Sequence, residues 1–264
     1  MPSTRRWRAG SSVATVSRSS REWVLCTTGV VHTISAILRA LTKPGDKVIV
    51  QTPVYNCFFS SIRNMECEAF ENPLINRDGY FEMDFEDLER KAAEPDACVL
   101  LLCNPHNPVG RSWSEEELRR LGEICFRHDV TVISDEIHCD LVHPGHKHCA
   151  FAALGSEFNV RSITCNSASK TFNIAGLQLA NIVIADPDLR ARVDRALNVH
   201  EVSNVNPLGV EATIAAYNEG EPWLEELNAY VHENYLTVAD FLAHELSHLH
   251  LIDQEATYLA WIDC

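Results

Sequence analysis

Short continuous apolar segments alternate with helical patterns along most of this chain, and no other feature restricts its fold as strongly. Six of these segments are predicted strands: 47–50, 67–71, 97–102, 130–134, 161–165 and 181–185. Strands that are apolar throughout, rather than at every second residue, are buried on both faces. The pattern therefore predicts an α/β fold, a three-layer sandwich in which helices cover a mostly parallel sheet of roughly seven strands.

Helices are predicted between these strands and over much of the C-terminal part. Ser114 and Glu117 have the spacing of a capping box, which predicts a helix up to about His128. A long helical region is predicted over 187–247, and the apolar segment 256–263 is predicted to be a strand.

The composition excludes several classes of protein. The chain has 264 residues, of which 46% are hydrophobic, and this is enough to build a large buried core. Its formal net charge of −15 argues against nucleic acid as a partner, since such proteins need a basic surface. No stretch of about 18 apolar residues is present, so neither a transmembrane helix nor a membrane partner is expected.

The first 21 residues differ from the rest of the chain. They contain five arginines, six serines and no acidic residue, which is typical of a mitochondrial transit peptide. Because they lack a clear apolar face, an unstructured or aberrant leader is the favoured interpretation of 1–21. The patterned domain begins at about residue 22.

The ten cysteines show no pairing pattern. They lie mostly in apolar surroundings, with no Cys-x-x-Cys motif and no signal peptide. They are therefore expected to be reduced core residues of a cytoplasmic protein, rather than parts of a disulfide framework or a zinc cluster.

Candidate site residues follow the predicted strands, at the edge where open α/β sheets bind ligands. Gly29 opens a helix, whose free N–H groups can bind a phosphate. Lys170, one of only five lysines, lies in a partly apolar segment, where its amine could attack a carbonyl. Asp135 ends an apolar strand and could keep a pyridine nitrogen protonated. Alone, each could be a snorkelling lysine or a capping aspartate, but together they indicate pyridoxal 5′-phosphate.

Four motifs in this order resemble the class I and II aminotransferase superfamily of pyridoxal-phosphate enzymes, over about residues 22–264. The resemblance is to its cystathionine β-lyase, or C–S lyase, branch. The motifs are Thr52-Pro53-Val54-Tyr55, Asn104-Pro105-His106-Asn107-Pro108-Val109-Gly110, Ser134-Asp135-Glu136-Ile137-His138 and Ser167-Ala168-Ser169-Lys170-Thr171-Phe172-Asn173-Ile174-Ala175-Gly176-Leu177-Gln178.

The resemblance implies a role for each matching residue. Lys170 would bind the cofactor covalently and later take the Cα proton, while Asp135 would pair with the ring nitrogen. Asn107 would bond the 3-oxygen, and Tyr55 would stack on the ring. The phosphate would be bound at the helix start that follows Gly29, by the N–H groups of Val30 and Val31, and by the hydroxyl of Ser167. Ser169 would assist or shape the turn.

Two departures from the aminotransferase pattern favour the lyase. His138 stands where those enzymes usually have a Tyr, and Gln178 where many have an Arg. The implied reaction is β-elimination, which cleaves L-cystathionine or a cysteine S-conjugate to a thiol, pyruvate and ammonia. A transaminase remains an alternative.

The resemblance also implies a homodimer and a longer chain. Residues 22–210 would form the cofactor-binding large domain, and 211–264 a long helix with the start of a truncated small domain. Relatives continue further and carry an Arg for the substrate carboxylate, so an inactive cofactor-binding fragment is a second alternative.

Histidine patterns raise a metal site as a further alternative. His244-Glu245-Leu246-Ser247-His248 matches the HExxH motif of zinc proteases, but it falls where a helix is expected to end. Three histidines surround Pro144-Gly145, and solvated loop residues are the favoured interpretation of them: His143, His146 and His148. No metal is predicted.

Overall fold

The structure, a computed structural model, describes residues 20–199 and 201–264. The predicted leader at 1–21 therefore lies almost wholly outside the described residues. Its last residue, Arg21, opens a single 3₁₀ turn that ends at Trp23 and leads directly into the first strand.

Seven strands form the central sheet, and four more form two small hairpin-like pairs. The strands are β1 Val24–Thr27, β2 Lys47–Val50, β3 Glu68–Glu71, β4 Ile75–Arg77, β5 Tyr80–Glu82, β6 Ala97–Cys103, β7 Thr131–Asp135, β8 Ser162–Asn166, β9 Ala180–Val183, β10 His250–Leu251 and β11 Ile262–Asp263. The sheet order is β1-β9-β8-β7-β6-β2-β3. β9 runs antiparallel to both of its neighbours, and the other pairs are parallel. This confirms the predicted mostly parallel sheet.

Helices cover both faces of this sheet, and each face has its own hydrophobic core. The helices are Val30–Leu41, Cys57–Asn64, Phe85–Ala92, Glu115–Arg127, Ser156–Val160, Ala168–Thr171, Pro187–Val199, Pro207–Glu219 and Glu221–Glu245. Successive residues of β6 alternate between the cores, since Leu101 packs on the side of helix Val30–Leu41 and Leu100 on the side of helix Glu115–Arg127. The three-layer sandwich is therefore confirmed.

The predicted capping box opens helix Glu115–Arg127. The Ser114 hydroxyl accepts the Glu117 N–H at 3.2 Å, and the Glu117 carboxylate accepts the Ser114 N–H at 2.8 Å. Two N–H groups that the helix leaves unpaired are satisfied in this way.

The predicted strand over 256–263 is wrong for most of its length. Only Ile262–Asp263 is a strand, paired antiparallel with β10. Thr257 has a φ of 72°, a left-handed conformation that extended chain cannot contain, and its N–H donates to the Leu141 carbonyl at 2.8 Å. The segment therefore turns at Thr257 and packs against the segment that contains Leu141.

The region 187–247 is helical as predicted, but it divides into three helices. The longest, Glu221–Glu245, is called the long helix below; Leu224 and Leu242 are its buried residues. No helix in the described ranges is long and apolar enough to cross a bilayer.

Candidate active site

The predicted site residues lie along one edge of the sheet. Because β1, β8, β7, β6 and β2 run in the same direction, their carboxyl ends meet at this edge. Each of these strands leads into one of the predicted segments: Gly29 after β1, Tyr55 after β2, Asn107 after β6, Asp135 at the end of β7, and Ser167 to Lys170 after β8.

Asp135 is a carboxyl group buried at the centre of this edge. It lies in the sheet between Cys103 of β6 and Cys165 of β8. Burial raises the pKa of Asp135 to about 7; the Ile137 N–H, which donates to Oδ1 at 3.1 Å, and the charge of Lys170 act in the opposite direction. A cationic partner, such as a protonated ring nitrogen, would stabilise the ionised form of this carboxyl group.

Lys170 lies in the short helix Ala168–Thr171, which follows β8. The Ser167 hydroxyl caps this helix by accepting the Ser169 N–H at 3.1 Å. At the other end, the Thr171 hydroxyl donates to Asp140 Oδ2 at 2.9 Å. The ammonium group of Lys170 lies near enough to Asp135 and His138 to lower the pKa of both. Lysine and aspartate therefore share one site.

His138 is a buried, neutral imidazole in the same site. Burial, and secondarily the charge of Lys170, lower the pKa of His138 to about 4. Its Nδ1 is buried without a hydrogen-bond partner. The ring packs edge-on against Tyr258, with 5.7 Å between centroids. Sequence reasoning did not identify Tyr258, because the segment around it was predicted to be a strand.

Tyr55 faces the same group of residues. A hydrogen bond with the Cys57 side chain, followed by burial and by the charge of Asp135, raises the pKa of Tyr55 to about 12. Cys57 begins helix Cys57–Asn64, and it was also missed, since the sequence pattern treats it as one of many small core cysteines.

The loop that carries Asn107 is fixed by partly buried hydrogen bonds. The Asn107 N–H donates to Cys103 Sγ at 3.3 Å, and the Asn104 amide donates to the Cys149 carbonyl at 2.8 Å. His106 Nε2 contacts the Pro53 carbonyl at 2.9 Å, which joins this loop to the segment of Tyr55.

The predicted phosphate-binding groups directly follow β1 and β8, the two strands that flank β9. Val30 and Val31 are the first two residues of helix Val30–Leu41, so their N–H groups have no acceptor within the helix. The Ser167 hydroxyl donates to the Leu179 carbonyl at 2.6 Å, and it would have to rotate to bind a phosphate. Gln178 is exposed, with a left-handed φ of 51°.

Unpaired buried polar atoms at this edge fit the predicted cofactor. Besides His138 Nδ1, they include both side-chain polar atoms of Asn166 and the hydroxyl of Thr27. Buried polar atoms are seldom left without partners, so such a group marks a place where a polar ligand is accommodated. Together with the buried carboxyl group of Asp135 and the free helix start at Val30, these atoms suit a phosphorylated pyridine. Asn166 was not predicted.

The interpretation of the loop histidines as solvated is wrong for two of the three. His148 Nε2 lies 3.1 Å from Glu136 Oε2, with both side chains only 1% exposed, and His143 is buried against the Thr257 carbonyl. Glu136 follows a buried strand, so its carboxylate needs a buried hydrogen-bond partner. The loop folds inward because His148 is that partner. Of the three, only His146 is exposed at its side chain.

Neither histidine pattern forms a metal site. The long helix ends at Glu245, so His244 and His248 do not share a helical face. Residues 20–199 and 201–264 contain no cluster of three or more side chains that could bind a metal.

A separate cavity of about 950 Å³ lies between the β4–β5 hairpin and the start of helix Glu115–Arg127. None of the predicted site residues lines it. Its buried cation, Arg111, is held by Glu117 and Glu255 and by the Phe81 carbonyl, so it has a structural role in joining three segments.

Comparison with known proteins agrees with this arrangement. Residues 11–264 match the family model described as aminotransferase class I and II. Cystathionine beta-lyase PatB of Bacillus subtilis is 46% identical over 235 residues, which are 89% of this chain and 61% of PatB. Protein MalY of Escherichia coli is 34% identical over 89% of this chain and 60% of MalY. The chain thus spans about three fifths of the length of these relatives.

Solved structures show the same fold. Cystalysin from Treponema denticola, which contains a pyridoxal 5′-phosphate cofactor, superposes with a TM-score of 0.91 at 38% identity, over 93% of this chain and 62% of that protein. The PLP-bound C-S lyase from Staphylococcus hominis superposes with a TM-score of 0.87 at 40% identity, over 92% of this chain and 61% of that protein.

Proposed function

Since the chain belongs to the class I and II aminotransferase family, we propose that it binds pyridoxal 5′-phosphate and acts as a carbon–sulfur lyase of the cystathionine β-lyase type. One observation carries the proposal: the helix of Lys170 follows β8 at the same side of the sheet where the parallel neighbour β7 ends in a buried carboxyl group, Asp135. The charge of Lys170 lowers the pKa of Asp135 and of the buried His138. The lyases PatB and the Staphylococcus hominis enzyme support the choice of reaction.

The residues at this edge account for binding of the cofactor. The N–H groups of Val30 and Val31, with the hydroxyl of Ser167, hold the phosphate, and Tyr55 packs on the ring. Asp135 would keep the ring nitrogen protonated, and the charge of that nitrogen would stabilise the ionised Asp135 in turn. Asn107 and His138 would contact the 3-oxygen, while Ser169 would shape the turn that presents Lys170.

Lys170 is the residue that moves protons in the reaction. When bound, pyridoxal phosphate supplies an electron sink for the pair left on the substrate Cα. The Lys170 amine takes the Cα proton as a general base. The Cβ–S bond then breaks and its electron pair leaves with the sulfur, which becomes a thiol by taking up the proton that Lys170 carries. Addition of water to the remaining three-carbon fragment gives pyruvate and ammonia, so L-cystathionine yields homocysteine.

The products distinguish this proposal from its alternatives. Protein loaded with pyridoxal phosphate should release thiol and pyruvate from L-cystathionine in equal amounts, and Lys170→Ala should abolish both. Lys147→Ala, at the separate cavity, is the matched control and should leave turnover unchanged. Amino-group exchange with a keto acid, without thiol release, would establish a transaminase instead. Cofactor binding without either reaction would establish an inactive fragment.

We also propose that the protein works as a homodimer in the cytoplasm, with a domain boundary near residue 210. The helices around this boundary support a dimer, because they expose large apolar side chains, including Leu208, Ile214 and Phe241. Sedimentation at several concentrations tests the oligomeric state.

The cysteines support the cytoplasmic location. All ten are free thiols, as a reducing compartment would keep them.

A further inference from the structure

Tyr258 is a partly exposed tyrosine whose ring contacts His138 of the candidate active site. Its ring meets His138 edge-on, and its electrostatic interaction with Tyr55 contributes to the raised pKa of Tyr55. Tyr258 is 42% exposed, so it is not a core residue. Tyr258 therefore lies beside Tyr55, the residue expected to pack on the cofactor ring, and beside His138, the imidazole near Lys170. Part of the Tyr258 side chain faces solvent.

The turn before Tyr258 is fixed in an unfavourable conformation. Thr257 is β-branched and has a φ of 72°, a left-handed conformation that is unfavourable for a non-glycine residue. Its N–H donates to the Leu141 carbonyl at 2.8 Å, and its carbonyl contacts His143 Nε2 at 3.2 Å. Such strain persists where the surroundings impose it, and it is concentrated at ligand-binding sites.

The same turn is joined to the loop that carries His138. Ala256 forms an isolated β-bridge with Val142, four residues after His138, and the Thr257 hydroxyl accepts the Leu259 N–H at 3.3 Å. The turn and the loop thus form one unit, which sets the distance between Tyr258 and His138. If Tyr258 only filled space in the protein interior, neither the strained φ of Thr257 nor the exposure of the Tyr258 ring would be needed.

We propose that Tyr258 is a specificity-determining residue, whose ring forms the wall against which the sulfur-bearing side chain of the substrate packs. This inference rests on the proposed lyase function. Aromatic rings make favourable contacts with thioether sulfur, at about 5 Å from the ring. Tyr258 also covers the His138 ring and keeps it out of water.

Steady-state kinetics test directly whether the Tyr258 ring packs against the substrate side chain. With S-ethyl-L-cysteine, Tyr258→Ala should raise KM about tenfold and change kcat less than twofold, while Tyr258→Phe, which keeps the ring, should stay within twofold of wild type in both. Tyr230→Ala, an exposed tyrosine of the long helix, is the matched control. A KM unchanged in Tyr258→Ala would overturn the proposal, as would an equal loss in Tyr258→Phe.

Two further readouts separate this proposal from the lyase assignment. L-Norleucine has the shape of S-ethyl-L-cysteine but no leaving group, and its affinity for the loaded protein should fall about tenfold in Tyr258→Ala even if no thiol is ever released. In the cofactor-free protein, NMR titration should show a higher His138 pKa in Tyr258→Ala than in wild type, with Tyr230→Ala unchanged. Unaltered norleucine affinity and an unaltered His138 pKa would overturn the role of Tyr258 while leaving the lyase function standing.

Discussion

Lys170 and Asp135 lie at the ends of adjacent parallel strands, and the ammonium of Lys170 lowers the pKa of a carboxyl group that burial raises to about 7. The sheet creates this relationship, since Asp135 ends β7 and the short helix of Lys170 follows β8 directly. An amine and a carboxyl group fixed in this way can bind the two ends of one planar, nitrogen-containing ring.

The burial of Asp135 gives the cofactor-free protein a characteristic pH dependence. The unfolded chain loses the Asp135 proton near pH 4, whereas the folded protein keeps it up to about pH 7. The folded state therefore binds more protons in this window, and stability falls as pH rises through it. Relative to Asp135→Asn, the free energy of unfolding of the wild type should fall by up to about 4 kcal/mol between pH 4 and pH 7.

Urea unfolding at several pH values measures this difference. Asp78→Asn, at an exposed hairpin turn, is the control. It measures how the loss of one surface carboxylate changes the free energy of unfolding at each pH. A difference between wild type and Asp135→Asn that stays constant from pH 4 to pH 7 would contradict the burial of an unpaired carboxyl group.

The buried pair of Glu136 and His148 should matter for stability rather than for chemistry. Glu136 also accepts the Ser134 hydroxyl at 2.9 Å and the Phe151 N–H at 3.0 Å, so the loop is tied to the end of β7. His148→Ala should lower the free energy of unfolding by about 3 kcal/mol, because it leaves a buried carboxylate without its partner.

His146→Ala is the matched control for that variant, since it is an exposed histidine of the same loop. It should change stability by less than about 1 kcal/mol, as exposed pairs do. Thermal or urea unfolding measures both variants, and equal stabilities would show that the pair does not hold the loop.

Gly122 allows close packing between helix Glu115–Arg127 and the Phe158 ring. A Cβ at Gly122 would lie 2.5 Å from Phe158 Cε1. Gly122→Ala should therefore destabilise the protein by about 1–3 kcal/mol, although alanine favours helices. Gly155→Ala is the control, since its Cβ would meet the same ring at an ordinary 3.8 Å. If Gly122→Ala proves as stable as wild type, the helix does not pack as described.

The sequence predicted the layers of the fold and the residues that meet at the carboxyl ends of the strands, for physical reasons that are local. A run such as Val99 to Leu102 is apolar at every position because both faces of the sheet are covered, and residues such as Asp135 and Lys170 follow such runs directly. The capping box of Ser114 and Glu117 is likewise contained within four residues.

Contacts between distant segments could not be predicted in this way. The apolar pattern at 256–263 resembles a strand, but the Thr257 N–H donates to the Leu141 carbonyl and the Thr257 carbonyl contacts His143, and these tertiary contacts impose a turn at Thr257 instead. That turn is what brings Tyr258 to His138, 120 residues earlier in the chain. The burial of His148 depends in the same way on Glu136, which the local sequence of the loop does not reveal.

Trapping the cofactor on Lys170 tests the central claim most directly. Protein mixed with pyridoxal phosphate, reduced with borohydride and digested with trypsin should yield one modified peptide, which contains Lys170 and carries a single phosphopyridoxyl group. Lys170→Ala should yield none, and Lys147→Ala should be modified as the wild type is. Modification distributed over surface lysines, or equal modification of Lys170→Ala, would contradict the assignment of this edge of the sheet as the cofactor site.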